Sequence, residues 1–424
     1  MIQYLFIKTP LMFLVQSLWR DEAFSYFLAK KNILEILTLS AKDFSPPLYH
    51  LILHFWINIF GGSEIALRSL SIIFYWATVY VGFLFLTDFF KMKLKKAFFY
   101  TLFIAINPLL LYYAFEARMY SMLAFFGILS FYSLYKKKST FYFLSLILGL
   151  YTHYFMILVV VTQYFLIKSK KQIYALLAFL PWIIFTLVNR GIIIDSFWIQ
   201  KFSVNNLVNF IGSVYTGYER EFRFFDKSIC LFSTALWFII VLGYIQIKKE
   251  VAHERKLFRY LLAWAILIPL FTVLVSFIKP VFLPRYLIFS TTGLIILLIF
   301  AIEKFPLLLR VLIIVFIFTV TFNYNQLQIK ERKKANLRKT VKEIKVLMKD
   351  NDSLYVSSEL DYFTALYYLR ENKVYIWGKT YEEIPNYVGK ALIPKEKIAS
   401  TLPFYPKKAY VLSPDGQYSI QAMY

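Results

Sequence analysis

Residues 66–96 read ALRSLSIIFYWATVYVGFLFLTDFF-KMKLKK, an almost unbroken apolar stretch closed by four lysines in six positions. A helix of that length reaches across a bilayer, and a lysine cluster at its end marks the cytoplasmic side. Similar alternation recurs along the chain of 424 residues, which is 59% apolar and 17% charged with mean hydropathy +0.58. Soluble domains average about 25% charged residues, so a soluble enzyme, a coiled coil and a disordered chain are excluded. The sequence reads as an all-α polytopic membrane protein.

Cationic clusters at Lys91–Lys96, Lys136–Lys138, Lys168–Lys171 and Lys248–Arg259, followed by Lys304 and Arg310, are all placed inside by the positive-inside rule. The spans that follow are 2–18, 66–90, 97–115, 117–135, 139–152, 154–167, 172–189, 228–247, 258–278, 284–302 and 307–323. That is about eleven transmembrane helices, with the N-terminus inside and the C-terminal region outside the cytoplasmic membrane. The pair across 139–167 is short for two crossings, and a shallow hairpin is the alternative. The apolar start reads as a retained first span and not as a cleaved signal.

The chain divides into residues 1–330, a membrane domain with a long first outer loop at 19–65, and residues 331–424, a small soluble α/β domain. Within the latter a helix is expected in 332–349 and another over 362–370, with strands at 354–357, 373–377 and 409–412. Pro47–Phe60 is expected as an interfacial or re-entrant helix. The formal net charge of +23 is first an orientation signal. The basic run 330–339 reads as a solvated or headgroup-facing helix and not as a nucleic-acid site. The single cysteine, Cys230, excludes an internal disulfide and a multi-thiolate metal site.

The threading gathers acids on one side. Ten of the 14 before residue 331 fall outside: Asp21, Glu22, Glu35, Asp43, Glu64, Glu116, Asp195, Glu219, Glu221 and Asp226. Trp19-Arg20-Asp21-Glu22 follows the first span, where a carboxylate can act as general base on a substrate hydroxyl or simply begin a helix. Asp43 precedes Ser45-Pro46-Pro47, with Ser45 as a helix cap in the competing reading. Glu116 and Arg118 sit two apart at an outer turn with Tyr120, suited to a metal or an anion or forming a local pair. Pro284-Arg285-Tyr286 opens the tenth span; arginine grips phosphate bidentately, and both Arg285 and Tyr286 also suit an interfacial anchor. His153 lies at the outer tip of the short hairpin. His50 and His54 are four apart, but the HExxH glutamate is missing, which favours a structural pair over zinc.

In order, W-R-D-E-A-F-S (19–25), D-F-S-P-P-L-Y (43–49), F-G-G-S-E-I-A-L-R-S-L-S (60–71), N-P (107–108), E-A-R-M-Y-S (116–121), T-H-Y (152–154) and P-R-Y (284–286) resemble the GT-C membrane glycosyltransferases of the bacterial protein O-mannosyltransferase and aminoarabinose-transferase type (family 39). The resemblance implies transfer of a sugar from a polyprenyl-phosphate donor, with inversion, on the outer face of the membrane. It implies Asp21 as the catalytic acid with Glu22 its neighbour. It also implies a family acid at Glu116 and phosphate binding by Arg285. Asp43, Arg68, Arg118, Tyr120, His153 and Tyr286 are read with them as substrate-binding. A divalent metal ion would rest on Glu116 or Asp43. Ser45 stands where many relatives carry His or Asn. The acceptor is a protein, a glycolipid or a wall polymer; the partners are the donor and membrane lipid. The rival readings are a polyprenyl-linked polysaccharide polymerase or ligase, and a lipid or solute transporter, which would want ionisable groups near the bilayer midplane.

Overall fold

The structure, a computed structural model, describes residues 6–43, 45–190, 199, 203–219, 226–248 and 252–424. Phe44, Asp195 and Glu221 lie outside the described residues, as does the side chain of Asp226. The helices in chain order begin with α1 (Met12–Val15), α2 (Arg20–Ala29), α3 (Ile33–Lys42), α4 (Leu48–Phe60) and α5 (Glu64–Asp88). They continue with α6 (Leu94–Ala105), α7 (Pro108–Ala114), α8 (Tyr120–Tyr135), α9 (Ser139–Leu150), α10 (Met156–Leu166) and α11 (Lys170–Arg190). Next come α12 (Val204–Thr216), α13 (Asp226–Lys248), α14 (Ala252–Leu262), α15 (Ile268–Ser276), α16 (Ile288–Ile302) and α17 (Leu307–Glu331). The rest are α18 (Leu337–Leu347), β1 (Ser353–Val356), α19 (Tyr362–Leu369), β2 (Val374–Trp377), β3 (Ile398–Ala399), β4 (Ala409–Leu412) and β5 (Tyr418–Gln421).

This is a multi-pass membrane protein. Among the described residues six helices are long and apolar enough to cross a membrane, or seven if the bent pair α6 and α7 is one span. That pair breaks by 71°, where a straight span over 97–115 was expected. The cause is local. Asn107 accepts from the N–H groups of Leu109 and Leu110 (both 3.1 Å), and Pro108 takes the first helical position, where its missing N–H costs nothing. The stretches expected at 117–135, 139–152 and 154–167 form helices of 16, 12 and 11 residues. Twelve residues rise only about 18 Å, short of a hydrocarbon core. Within the expected first span, the described part is helical at 6–8 and again over Met12–Val15, with a break between.

The chain forms two compact units. One is made of 1–11, 68–184 and 196–331; the other joins 12–67 and 185–195 to 332–424. In the first, α16 is buried along its whole length, with α8, α13 and α14 packed against it. Gly127 of α8 permits this approach: a Cβ there would lie 2.3 Å from the Cβ of Phe289. A π-helical turn at Ala263–Leu267 joins α14 to α15. It turns Trp264 inward to stack on Phe131 (4.3 Å, 13°) and donate to the carbonyl of Phe289 (2.9 Å). The lysine-rich ends are clasped by acids. Glu303 accepts from Lys96, Tyr100 and Arg310, Glu254 pairs with Lys304, and Asp88 accepts from Tyr132 and Lys136.

The second unit carries a five-stranded sheet of order β3-β2-β1-β4-β5, parallel except for β5. The expected strands and the helix over 362–370 are present within a residue or two, the helix expected in 332–349 starts only at Leu337, with 332–336 outside it, and β3 and β5 are additional. Asn336 caps α18 by accepting from the N–H of Lys339, and Arg370 ends α19 in the left-handed region. In the same unit α4 buries Tyr49, His50, Leu53 and Ile57 and exposes Phe55, Ile59 and Phe60, a two-sided helix at the spacing of one turn. Ser45 does not cap it. The cap position is Pro47, without a side-chain bond, and the Ser45 N–H bonds the carbonyl of Ser40 instead.

Replacing Gly127 by Leu forces α8 away from α16 and should destabilise the bundle by about 1–3 kcal/mol, read as a lowered melting temperature in detergent. An unchanged melting temperature contradicts the close packing of these helices.

Candidate active site

Within the first unit, five of the residues singled out from the sequence come together. After α7 the chain turns through Glu116-Ala117-Arg118-Met119, with the Arg118 N–H bonded to the Glu116 carbonyl (2.7 Å). Ser71 of α5 donates to the Arg118 carbonyl (3.2 Å) and fixes this turn to the neighbouring helix. Arg68, one turn earlier on the same face of α5, is fully buried. The turn delivers Tyr120 as the first residue of α8. The Arg118 guanidinium lies over the Tyr120 ring (5.2 Å) and donates to its hydroxyl (3.4 Å).

Tyr120 in turn stacks near Tyr286 (6.3 Å, 27°) and meets Tyr113 edge-on (4.6 Å). His153, in the turn between α9 and α10, approaches Tyr286 (5.0 Å) and Tyr120 (6.2 Å). Arg285 arrives from the 3-10 turn Pro284–Leu287 that opens α16, and its Nη1 is 3.3 Å from Oε2 of Glu219. Glu219 follows Gly217, whose φ of 75° closes α12 and lets the chain pass against Leu109. Glu116 is buried within the same turn as Arg118. Two guanidiniums, an imidazole and tyrosine rings thus sit where helices begin and end. Such a set can hold an anion and an apolar or sugar face together.

His153 is held neutral. Burial, helped by the Arg118 charge, pushes its pKa down to about 3. Its Nδ1 accepts from the Phe155 N–H (3.2 Å), which assigns the proton to Nε2. It can donate one hydrogen bond without carrying charge.

In the second unit, Trp19 is the N-cap of α2, and Glu22 closes the first turn by accepting from the Trp19 N–H (2.7 Å). Glu22 is fully buried and pairs with Lys334 Nζ at 2.9 Å. Arg20 forms a two-pronged pair with Asp361, Nε to Oδ1 at 2.9 Å and Nη2 to Oδ2 at 3.3 Å. Burial holds the Asp361 carboxyl above its ordinary range, against the lowering pull of Arg20. Asp21 lies between these two pairs, and Ser25 donates to its carbonyl (2.9 Å). Asp43 is the C-cap residue of α3. His54 bonds the Ala29 carbonyl (2.8 Å), and His50 packs edge-on against Phe24. Among the described residues no three His, Cys, Asp or Glu side chains are grouped as a metal site.

Sequence reasoning did not single out Glu219, Tyr113, Asp361 or Lys334. Glu219 was one outer acid among ten. Lys334 is hidden by composition, an enclosed lysine inside a run of solvated ones.

The overall arrangement matches solved structures of ArnT from Cupriavidus metallidurans. The apo form is 12% identical, with a TM-score of 0.64 over 95% of this chain and 90% of that one. The form bound to undecaprenyl phosphate is 13% identical, with a TM-score of 0.60 over 95% and 91%. The chain shares the fold of these two structures. No family model and no curated protein matches its sequence. At such identity the likeness to ArnT is one of fold.

Four histidines are present, so 15N-histidine spectra in detergent can follow each ring. One ring should stay neutral at pH 5 and disappear in His153→Gln. Titration of that ring near 6.5 contradicts the buried placement.

Proposed function

We propose that the protein is a membrane glycosyltransferase that moves a sugar from a polyprenyl-phosphate donor to an acceptor hydroxyl on the outer face of the cytoplasmic membrane, with inversion at the anomeric carbon. The observation that carries this reading is the cluster of Arg118, Tyr120, His153, Arg285 and Tyr286 at the ends of membrane helices. It occurs in a fold shared with a protein solved in complex with undecaprenyl phosphate. A prenyl tail partitions into the bilayer, which leaves its phosphate and sugar at headgroup depth. That is where cationic and aromatic side chains at helix ends can meet them.

Arg285 and Arg118 bind the phosphate and meet the charge that develops on it as it leaves. His153 adds an uncharged donor through Nε2. Tyr120 and Tyr286 offer ring faces to the sugar, and Arg68, buried one turn before Ser71 on α5, is read with them as substrate-binding. Asp21 accepts the proton of the acceptor hydroxyl. The acceptor oxygen bonds to the anomeric carbon as that carbon's bond to the phosphate oxygen breaks, and polyprenyl phosphate departs with the bonding pair. Glu22 serves the helix that carries Asp21. Asp43 is read as substrate-binding. No step is derived through a metal ion, since the described acids are not grouped to hold one. The orientation proposed keeps the clasped lysine clusters inside and the C-terminal domain outside.

The test is incubation of purified protein in lipid with a panel of polyprenyl-phosphate sugars, following release of free polyprenyl phosphate. Asp21→Asn keeps the shape and removes the base, so turnover should fall by about 10²–10⁴-fold. Wild-type turnover by a folded Asp21→Asn protein refutes the base. Absence of release from every donor, with acceptor-containing membranes supplied, refutes the transferase.

A further inference from the structure

We propose that Asp361 and Lys334 are positioning residues, and that through them the C-terminal domain holds Asp21 in its working geometry. The inference rests on the reading of Asp21 as base. It starts from the weakness of α2 on its own. Ten residues fall below the roughly 12–15 that give even a marginal isolated helix, and the nearest preceding helix, α1, has four residues. The orientation of α2 must come from what it packs against.

Beside the neighbouring α4, whose His50 meets Phe24 and whose His54 bonds the Ala29 carbonyl, its contacts come from residues more than 300 positions away in sequence. Ahead of the helix, Arg338 donates to the Val15 carbonyl (2.7 Å), the Lys334 N–H to the Gln16 side chain (3.2 Å), and the Leu18 N–H to the Tyr368 hydroxyl (2.8 Å). Beyond the first turn, Phe24 meets Phe363 edge-on (5.6 Å) and Tyr26 meets Tyr367 (5.0 Å). Phe24 also fills the space over Gly389, where a Cβ would be only 2.4 Å from its ring. At Asp21 itself the two sequence neighbours are both held by opposite charges. Arg20 is gripped by Asp361 through both prongs of the guanidinium, and Glu22 by the enclosed ammonium of Lys334.

These are not surface pairs of small effect. Asp361 and Glu22 are buried, and a buried charge stripped of its partner must rearrange or be resolvated. A two-pronged arginine–carboxylate pair fixes direction as well as distance. Residue 20 and residue 22 point to different sides of the helix, so two clamps fix its rotation where one would leave it free to turn. The aromatic contacts set the height of α2 on the domain; the ion pairs set which way residue 21 faces.

The full-length protein tests this with Asp361→Asn and Arg20→Lys, the second of which keeps the charge and loses the fork. With the working donor, kcat should fall about 10–100-fold in Asp361→Asn, the scale of an ångström-sized misplacement. A smaller fall is expected in Arg20→Lys, while the donor KM changes less than about twofold in both. Amide exchange across 20–29 should quicken in step with the loss. In an Asp21→Asn background, Asp361→Asn should lower the residual rate no further, a result that general destabilisation would not give. Glu371→Gln, which opens an exposed pair with Lys345 on the same domain, should leave turnover unchanged. If Asp361→Asn and Arg20→Lys turn over like wild type while Asp21→Asn is dead, the positioning role is wrong and the base stands. If Asp21→Asn itself is active, the base fails and the positioning role with it.

Discussion

A guanidinium enclosed at the head of an apolar helix is the constraint around which the first unit is organised. Alpha16 is buried throughout, so nothing along its length can hold a charge, and Arg285 sits at its entrance against Glu219. A charge taken out of bulk water persists only if paired. The pairing requires the chain to reach residue 219 from the end of α12, which the left-handed Gly217 allows. The same entrance needs an adjoining wall, and the 71° break at Asn107-Pro108 supplies one by carrying Tyr113 and the Glu116–Arg118 turn. Tyr120, Tyr286 and His153 then close ring on ring. The site is a consequence of helices that stop, bend or start at one level.

The second unit obeys a different rule. Its pieces are remote in sequence, 12–67 and 332–424, yet they form one packed body. The sheet supplies a rigid base, and α19 presents aromatic side chains to α2. Hydrogen bonds from Arg338, Lys334 and Tyr368 replace the regular structure that the approach to α2 lacks. An acid proposed as base on a short helix needs such support, since short helices have little order of their own.

The membrane class, the basic clusters and the strands over 354–356, 374–377 and 409–412 could be read directly, because hydropathy and period-2 alternation are local signals; the number and length of the spans could not. The ordered motifs named Asp21, Glu22, Asp43, Arg68, Glu116, Arg118, Tyr120, His153, Arg285 and Tyr286 together, and of these Arg118, Tyr120, His153, Arg285 and Tyr286 meet in the first unit. What could not be read is set by tertiary pairing. Nothing in the sequence around Glu219 marks it as the partner of Arg285. Asp361 looks like the start of α19 and turns out to reach Arg20. Beta5, an exposed edge strand ending the sheet, lacks the apolar face that would have announced it. The break after Ala105 was not expected within 97–115; Asn107 also donates to the carbonyl of Tyr215 (2.8 Å), a bond that no local pattern encodes.

The central claim is that the cluster at the head of α16 recognises a lipid-borne phosphate. The most direct measurement compares binding of a polyprenyl phosphate and of the matching polyprenol to purified wild-type protein and to Arg285→Ala. Loss of a charge-assisted bond should weaken phosphate binding by roughly tenfold or more, with the alcohol unaffected. Equal affinity of both proteins for the phosphate contradicts the account.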